Sequence, residues 1–264
     1  MIVSRAQRGL LLVGMTPVLA VIVLPYLLML SGALKGPAEI VARQFTIIPR
    51  HPQPGNFLEV FRVMPLARFF LNSTIVAVGA TALVLLCAIP AAYALGRLRF
   101  PGRTPILYLI LATQMFSPIV LIIALFSQFT AYGLLEGAWC LLAMVVANAA
   151  CRLAFSIWLL AGYFATVPHE IEEAALIDGC SRLQTLWRVL LPICKPGVVT
   201  TLIFAFISAW NEYPLQLVML HRTDVKTIAL GIAGLQSEMS TDYGLIMAGA
   251  ALGAVPIILV FLAF

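Results

Sequence analysis

The sequence predicts an all-α, polytopic membrane protein with six transmembrane helices and a polar helix-turn-helix loop between the fourth and fifth. Hydrophobic residues make up 62% of the 264-residue chain, charged residues only 10%, and the mean hydropathy is +1.04. In soluble domains about a quarter of residues are charged. The longest polar segment between two strongly apolar blocks runs from Thr166 to Gly197. We therefore expect one transmembrane domain over residues 1–264.

The first apolar block covers residues 9–31 and follows Arg5 and Arg8. A secretory signal peptide is the alternative, but its apolar core spans only about 7–15 residues and ends at a small-residue cleavage site. This block is longer and lacks a clear site of that kind. It predicts a retained first span.

The remaining blocks each have about 20 residues or more, enough to cross an apolar layer of roughly 30 Å. Residues 32–68 are polar and proline-rich, and they predict an external loop with a short helix near residues 56–64. The later spans are predicted at residues 69–96, 104–125, 138–164, 198–220 and 243–264.

The orientation follows from the short loops, which the positive-inside rule weighs most. Raw counts do not settle it, because the long first loop holds Lys35, Arg43, Arg50, Arg62 and Arg68. The turn after the second span carries Arg97, Arg99 and Arg103, whereas residues 126–137 contain no lysine or arginine. Both termini and the segment 166–197 are therefore expected on the cytoplasmic side.

The formal net charge of +5 does not indicate nucleic-acid binding in this chain. The basic residues lie in loops between apolar blocks, where membrane orientation and lipid headgroups account for them. The five cysteines, Cys87, Cys140, Cys151, Cys180 and Cys194, have no metal-ligand spacing. Neither a metal site nor a disulfide framework is predicted.

The polar segment itself predicts two short helices joined by a turn. Pro168 presets a helical φ, Thr166 is a candidate N-cap, and Glu170, Glu172 and Glu173 place negative charge in the first turns. Asp178-Gly179 is a credible end, since glycine tolerates the left-handed conformation. Apolar residues at spacings of three and four then predict a second amphipathic helix as far as a break at Pro192; they are Leu183, Leu186, Trp187 and Leu190.

A motif lies within these helices. Glu173-Ala174-Ala175 is followed after three residues by Gly179, and after nine more by Val189, with Leu191-Pro192 beyond. Here the chain resembles the inner-membrane permease subunits of ABC importers, whose cytoplasmic EAA loop carries this pattern. The segments IWLL at 157–160, LPICKPG at 191–197 and WNEY at 210–213 look like the maltose-type carbohydrate permeases. The resemblance covers residues 70–213.

The resemblance implies a non-catalytic subunit of an ATP-driven importer in a bacterial inner membrane. Its partners would be the lipid bilayer, a second permease that is identical or related, with a heterodimer expected, two cytoplasmic ATPase subunits, and an external solute-binding protein. ATP and Mg²⁺ would bind to the ATPase, and no cofactor to this chain. The resemblance places seven residues at the ATPase contact: Glu172, Glu173, Ala174, Ala175, Asp178, Gly179 and Pro192.

Charged, polar and aromatic residues inside the apolar blocks are candidates for the substrate pathway: Arg152, Trp210, Asn211 and Glu212. A charge at mid-span costs about 2.5–3.5 kcal/mol on insertion scales, so Arg152 must face protein or water. A structural ion pair and a polar lining of the pathway both remain open. Arg152 also departs from the apolar or small residue usual in the family. Asn148 is predicted to form a hydrogen bond between helices.

Other classes are less consistent with the sequence. It contains no GxxxxGK[ST], HExxH or GxSxG motif, so neither a phosphate loop nor those catalytic sites are predicted. A secondary transporter would be expected to carry inverted repeats and midplane ion ligands, and no clear repeat is present. Within the importer class a sugar is expected from the resemblance, while a polyol, a sugar phosphate or another polar solute remains open.

Overall fold

The computed structural model describes residues 5–42, 46–116, 118–137, 139–236 and 242–264, and the regular secondary structure of these residues is entirely helical. Arg43 and Ala138, predicted in the external loop and at the start of the fourth span, lie outside it. The longer helices are α1 (Arg5–Ala33), α3 (Gly55–Val63), α4 (Leu66–Arg97), α5 (Arg103–Thr113), α6 (Pro118–Ala131), α7 (Trp139–Ala165), α8 (His169–Ile177), α9 (Arg182–Ile193), α10 (Lys195–Trp210) and α13 (Tyr243–Ala263). Short helices are α2 (Pro37–Ile40), α11 (Pro214–Met219), α12 (Ile228–Ala233) and the 3₁₀ turn Thr223–Val225.

Within the described residues, four helices are long and apolar enough to cross a membrane: α4, α7, α13 and residues 14–33 of α1. A fifth is added if α9 and α10, which meet at 83°, count as one bent span. The protein is thus an all-helical polytopic membrane protein with four to five candidate spans. The predicted number of six is not reached by single long helices.

Two predicted spans are interrupted. In place of one helix over residues 104–125 the chain forms α5 and α6, and in place of one over 198–220 it forms α10 and α11. Pro118 and Pro214 begin the second helix of each pair. Proline has no N–H to continue the hydrogen-bond ladder of a preceding helix, so each pair breaks there.

The chain divides into two compact units, Met1–Ala67 with Gly231–Pro256, and Arg68–Leu230 with Ile257–Phe264. In the first unit, the Asn56 amide donates to the carbonyls of Ala33 and Lys35, both at 2.9 Å, and so ties α3 to the end of α1. In the segment between α2 and α3 the Arg50 backbone N–H donates to the Glu39 carboxylate at 2.9 Å, which lowers the pKa of that carboxyl group.

In the second unit, α4 and α7 supply much of the buried surface. The start of α4 holds the segment after α11: the Asn72 amide donates to the carbonyls of Asp224 and Lys226 at 3.0 and 2.8 Å, and the Ile228 N–H donates to Ser73 Oγ at 2.9 Å. These bonds satisfy polar groups of an irregular segment, which an apolar environment would otherwise penalise.

The close contact between α7 and α10 at Gly197 gives a first prediction. A Cβ at this buried glycine would lie 2.4 Å from Tyr163 Cγ, so Gly197→Ala should lower the free energy of unfolding by about 1–3 kcal/mol. The control is Gly162→Ala, since a Cβ at this helical glycine meets nothing within 4 Å. Thermal unfolding in detergent would compare them, and equal midpoints for the two variants would contradict the packing account.

Candidate functional site

Helix α8 starts without the predicted side-chain cap. Pro168 is its N-cap residue, with φ −55° and ψ 142°, and no side chain caps the first N–H groups. The prediction of Thr166 as N-cap is wrong, because its hydroxyl donates back to the Tyr163 carbonyl at 2.8 Å. The acidic residues of the first turn, Glu170 and Glu172, lie at the positive end of the helix dipole as predicted.

Helix α8 ends where the sequence predicts. Asp178 is the C-cap residue, and Gly179 has φ +87°. The Gly179 N–H donates to the Leu176 carbonyl at 3.1 Å and the Cys180 N–H to the Ala175 carbonyl at 3.0 Å. These two bonds form a Schellman motif, which fixes the direction in which the chain leaves α8.

Helix α9 begins at a capping box that our sequence analysis missed. Ser181 Oγ accepts the Gln184 N–H at 3.3 Å, and Gln184 Oε1 accepts the Ser181 N–H at 2.8 Å. The signal was present in the sequence as Ser-x-x-Gln before an apolar run. A π-helical turn follows at Leu186–Leu190. The predicted break at Pro192 is misplaced by one residue, because α9 continues to Ile193 and the 83° bend follows.

Glu172 lies on the inner face of α8 and belongs to a buried polar cluster. Its carboxylate accepts the Tyr93 hydroxyl at 2.7 Å and the Arg97 Nε–H at 2.9 Å. The Arg97 and Glu172 side chains are 1% and 9% exposed. Our sequence analysis used Arg97 only as a marker of orientation and did not single out Tyr93, so this connection between α4 and α8 was not predicted.

The Arg97 guanidinium also closes the end of α7. It donates to the carbonyls of Val167 at 2.6 Å, Pro168 at 3.1 Å and Phe164 at 3.4 Å. Of these three carbonyls only that of Phe164 lies in the last turn of α7, where a cation is also favoured by the helix dipole; those of Val167 and Pro168 lie in the link to α8. One buried side chain on α4 thus holds both the end of α7 and the start of α8.

The seven predicted contact residues divide between two faces of the loop. Glu172 and Ala175 are buried on the inner face of α8. The other five are exposed: Glu173, Ala174, Asp178, Gly179 and Pro192. Large apolar side chains share this exposed surface, with Ile177 at 85%, Leu183 at 63% and Trp187 at 45% exposed.

Of the four predicted pathway residues, the structure brings two together. Arg152 on α7 pairs with Glu212, which follows α10, at an Nη2–Oε2 distance of 2.8 Å. The guanidinium also donates to the carbonyls of Asn148 at 3.1 Å and Ser208. Both charged residues line a cavity of about 230 Å³. The ion pair is therefore present, and it lies at the edge of a cavity.

The other two predicted pathway residues do not take part in this ion pair. Trp210 is 2% exposed and its ring stacks on Phe206 with centroids 5.7 Å apart, while Asn211 is exposed. Asn148 was predicted to form a hydrogen bond between helices. For its amide nitrogen this prediction is wrong, because that nitrogen donates to the Met144 carbonyl in the same helix at 2.9 Å. Two buried atoms of the cluster have no hydrogen-bond partner within the described structure, Asn148 Oδ1 and Arg152 Nε.

Comparison with known proteins identifies the class. Residues 84–264, well over half of the chain, match the family described as "Binding-protein-dependent transport system inner membrane component". The chain belongs to this family. The permease is 35% identical over 240 residues to the sulfoquinovosyl glycerol transport system permease protein of Agrobacterium fabrum, covering 91% of this chain and 83% of the relative. It is 33% identical over 246 residues to a diacetylchitobiose uptake system permease protein of Streptomyces coelicolor, with 92% and 80% covered.

A solved structure has the same fold. A chain from the crystal structure of a bacterial ABC transporter involved in the import of the acidic polysaccharide alginate superposes with a TM-score of 0.80 at 22% identity, covering 98% of the permease and 96% of that chain. The resemblance carried by the EAA motif is thereby confirmed. The permease is an inner-membrane, multi-pass transport subunit of a binding-protein-dependent ABC importer.

Proposed function

We propose that the permease imports a sugar or oligosaccharide and that the loop of residues 166–197 couples it to the ATPase subunit. The observation that supports the coupling role is that the two faces of α8 differ. Its inner face is fixed to α4 through Glu172 and Arg97, and its outer face presents Glu173 beside the exposed side chain of Ile177. An exposed apolar surface rimmed by charge is typical of a protein interface.

The proposed topology places this loop in the cytoplasm and has six crossings. The basic turn after α4 supports the orientation. The bent pair α9 and α10 would enter the membrane as one span, and α5 with α6 would together make the third crossing. Two identical or related permeases would then enclose the pathway, with two ATPase subunits inside and a solute-binding protein outside.

Coupling of this kind needs a rigid contact. Moving an inward-to-outward equilibrium from 99:1 to 1:99 requires about 5.5 kcal/mol of differential interaction. A loosely tethered loop could move without moving the helices attached to it, so it could not transmit that free energy. Helix α8 is instead closed by a Schellman motif at one end and held by the buried Arg97 at the other. A displacement of α8 would therefore reach α4 and α7.

The sugar substrate is supported by the relatives, whose names refer to sulfoquinovosyl glycerol and diacetylchitobiose. The Arg152–Glu212 pair is proposed to line the pathway. It offers charged hydrogen-bonding groups at the edge of a cavity within the membrane-spanning helices, as a hydroxyl-rich solute requires.

The coupling assignment is tested with Glu173→Lys and Gly179→Asp. Both positions are exposed, so both variants should insert, and ATP-driven uptake in proteoliposomes should fall at least about tenfold, which corresponds to 1.4 kcal/mol at the contact. Gly179→Asp also places a side chain on a residue with φ +87°. ATPase co-purification would be measured in parallel.

The matched control for Glu173→Lys is Glu136→Lys, the same charge reversal at an exposed glutamate in the turn after α6. It should leave uptake unchanged. Normal transport by both Glu173→Lys and Gly179→Asp would remove the coupling assignment.

A further inference from the structure

A groove on the second unit lies beside the ends of α4 and α7 and shares only Thr166 with the proposed coupling loop of residues 166–197. Its volume is about 490 Å³. Its walls come from α4, α5 and α7 and are mainly leucine, alanine and glycine, with Trp158 on one side and Arg103 at the mouth. A Cβ added at Gly162 would meet nothing within 4 Å, which shows that the groove is open along α7.

A second, shallower cavity of about 410 Å³ adjoins the groove and is formed by the turn of residues 99–105. Arg103 lines both cavities. The combined site is amphiphilic, with a basic opening formed by Arg99 and Arg103 and an apolar interior. Within the described chain neither arginine has a carboxylate partner within 4.0 Å; Arg103 donates to the Gly96 carbonyl at 3.2 Å.

The lining of the site follows the last turns of α7. Both α4 and α7 are candidate spans, and the basic opening lies at their ends, where headgroups are expected. Trp158 lies seven residues before the end of α7, about 10 Å deeper along a helix that rises about 1.5 Å per residue. The groove thus extends from headgroup level to acyl-chain level.

We propose that this site binds an anionic phospholipid, with the phosphate at Arg99 and Arg103 and an acyl chain in the groove toward Trp158. The two guanidinium groups form no ion pair within the described chain, and they supply charge complementarity to a phosphate. An acyl chain has no polar backbone to satisfy, which suits walls with few hydrogen-bonding groups better than a peptide segment does.

The proposal is tested by fluorescence quenching of the purified full-length chain in mixed bicelles with dibrominated phosphatidylglycerol or dibrominated phosphatidylcholine. Trp158 is the reporter, because it lines the groove. One arginine near an anionic surface contributes about fivefold in association. Phosphatidylglycerol should therefore quench with at least about fivefold higher apparent affinity than phosphatidylcholine, and Trp158→Phe should abolish this difference.

Two further variants separate the two parts of the site. Arg99→Gln combined with Arg103→Gln should remove the preference for phosphatidylglycerol. Gly162→Leu should fill the groove and reduce quenching by both lipids, whereas the control Gly14→Leu, at a helical glycine that also has open space, should not. Equal quenching by the two lipids in the unmodified chain, or a preference that survives Trp158→Phe, would overturn the proposal. No ATPase or ATP is present, so the result is independent of the coupling test.

Discussion

Replacing Arg97 with methionine is expected to lower the free energy of unfolding by about 3–5 kcal/mol, because removing one partner leaves the Glu172 carboxylate charged and buried. The change also removes the hydrogen bonds to the Phe164, Val167 and Pro168 carbonyls. Denaturant or thermal unfolding of the purified chain in detergent would measure the loss. It should appear without the ATPase, since the interaction is internal to the permease.

The matched control for this variant is Arg62→Met. Arg62 pairs with Glu59 at 3.4 Å, and their side chains are 77% and 47% exposed, so its loss should cost less than about 1 kcal/mol. The double variant Arg97→Met with Glu172→Met should recover part of the stability by removing the buried charge. Recovery should be incomplete, because the three carbonyls remain without their donor. An Arg97→Met variant as stable as Arg62→Met would contradict the role assigned to Arg97.

The second large effect is expected at the ion pair within the spans. Glu212→Ala leaves Arg152 without its carboxylate, and an uncompensated arginine at mid-span costs about 2.5–3.5 kcal/mol. Asp224→Ala is the control, because it breaks the Arg222–Asp224 pair, whose side chains are 57% and 38% exposed. Unfolding midpoints in detergent should separate the two variants clearly.

The double variant Arg152→Leu with Glu212→Leu distinguishes a pathway role from a structural one. Removing both charges of a buried pair is often neutral for stability, so the double variant should fold nearly as well as the unmodified chain. If the pair lines the pathway as proposed, uptake by this stable variant should fall at least about tenfold, which corresponds to about 1.4 kcal/mol in the activation free energy of uptake. Unchanged uptake by a stable double variant would leave the pair with a structural role only.

Local features of the loop were predictable because short-range physics determines them. The end of α8 depends on Gly179, which has φ +87° and needs no distant partner. The start of α9 depends on Ser181 and Gln184, three residues apart, and the signal was present although we did not use it. The short helix predicted near residues 56–64 is found at Gly55–Val63 for the same kind of reason.

Features that depend on distant residues were not predictable in this way. An arginine at the end of a span has the same sequence signature whether it faces the cytoplasm or turns inward. Only the packing of α4 against α8 brings Arg97 to Glu172, 75 residues away. This contact buries Glu172, one of the residues that the resemblance places at the ATPase contact. The breaks before Pro118 and Pro214 were missed because each apolar block was interpreted as one continuous span, although Gln114 lies in the first break and Asn211 and Glu212 lie in the second.

The most direct test of the account is photo-crosslinking from Ile177, the outermost apolar residue of α8 at 85% exposure, to the ATPase subunit in native membranes. A benzophenone amino acid would be placed at Ile177 and, as a control, at Trp139, which is 62% exposed at the start of α7. The account predicts a crosslink to the ATPase from position 177, with a yield that changes when ATP is added, and none from position 139. A crosslink from position 139, or none from 177, would contradict both the orientation and the docking role of the loop.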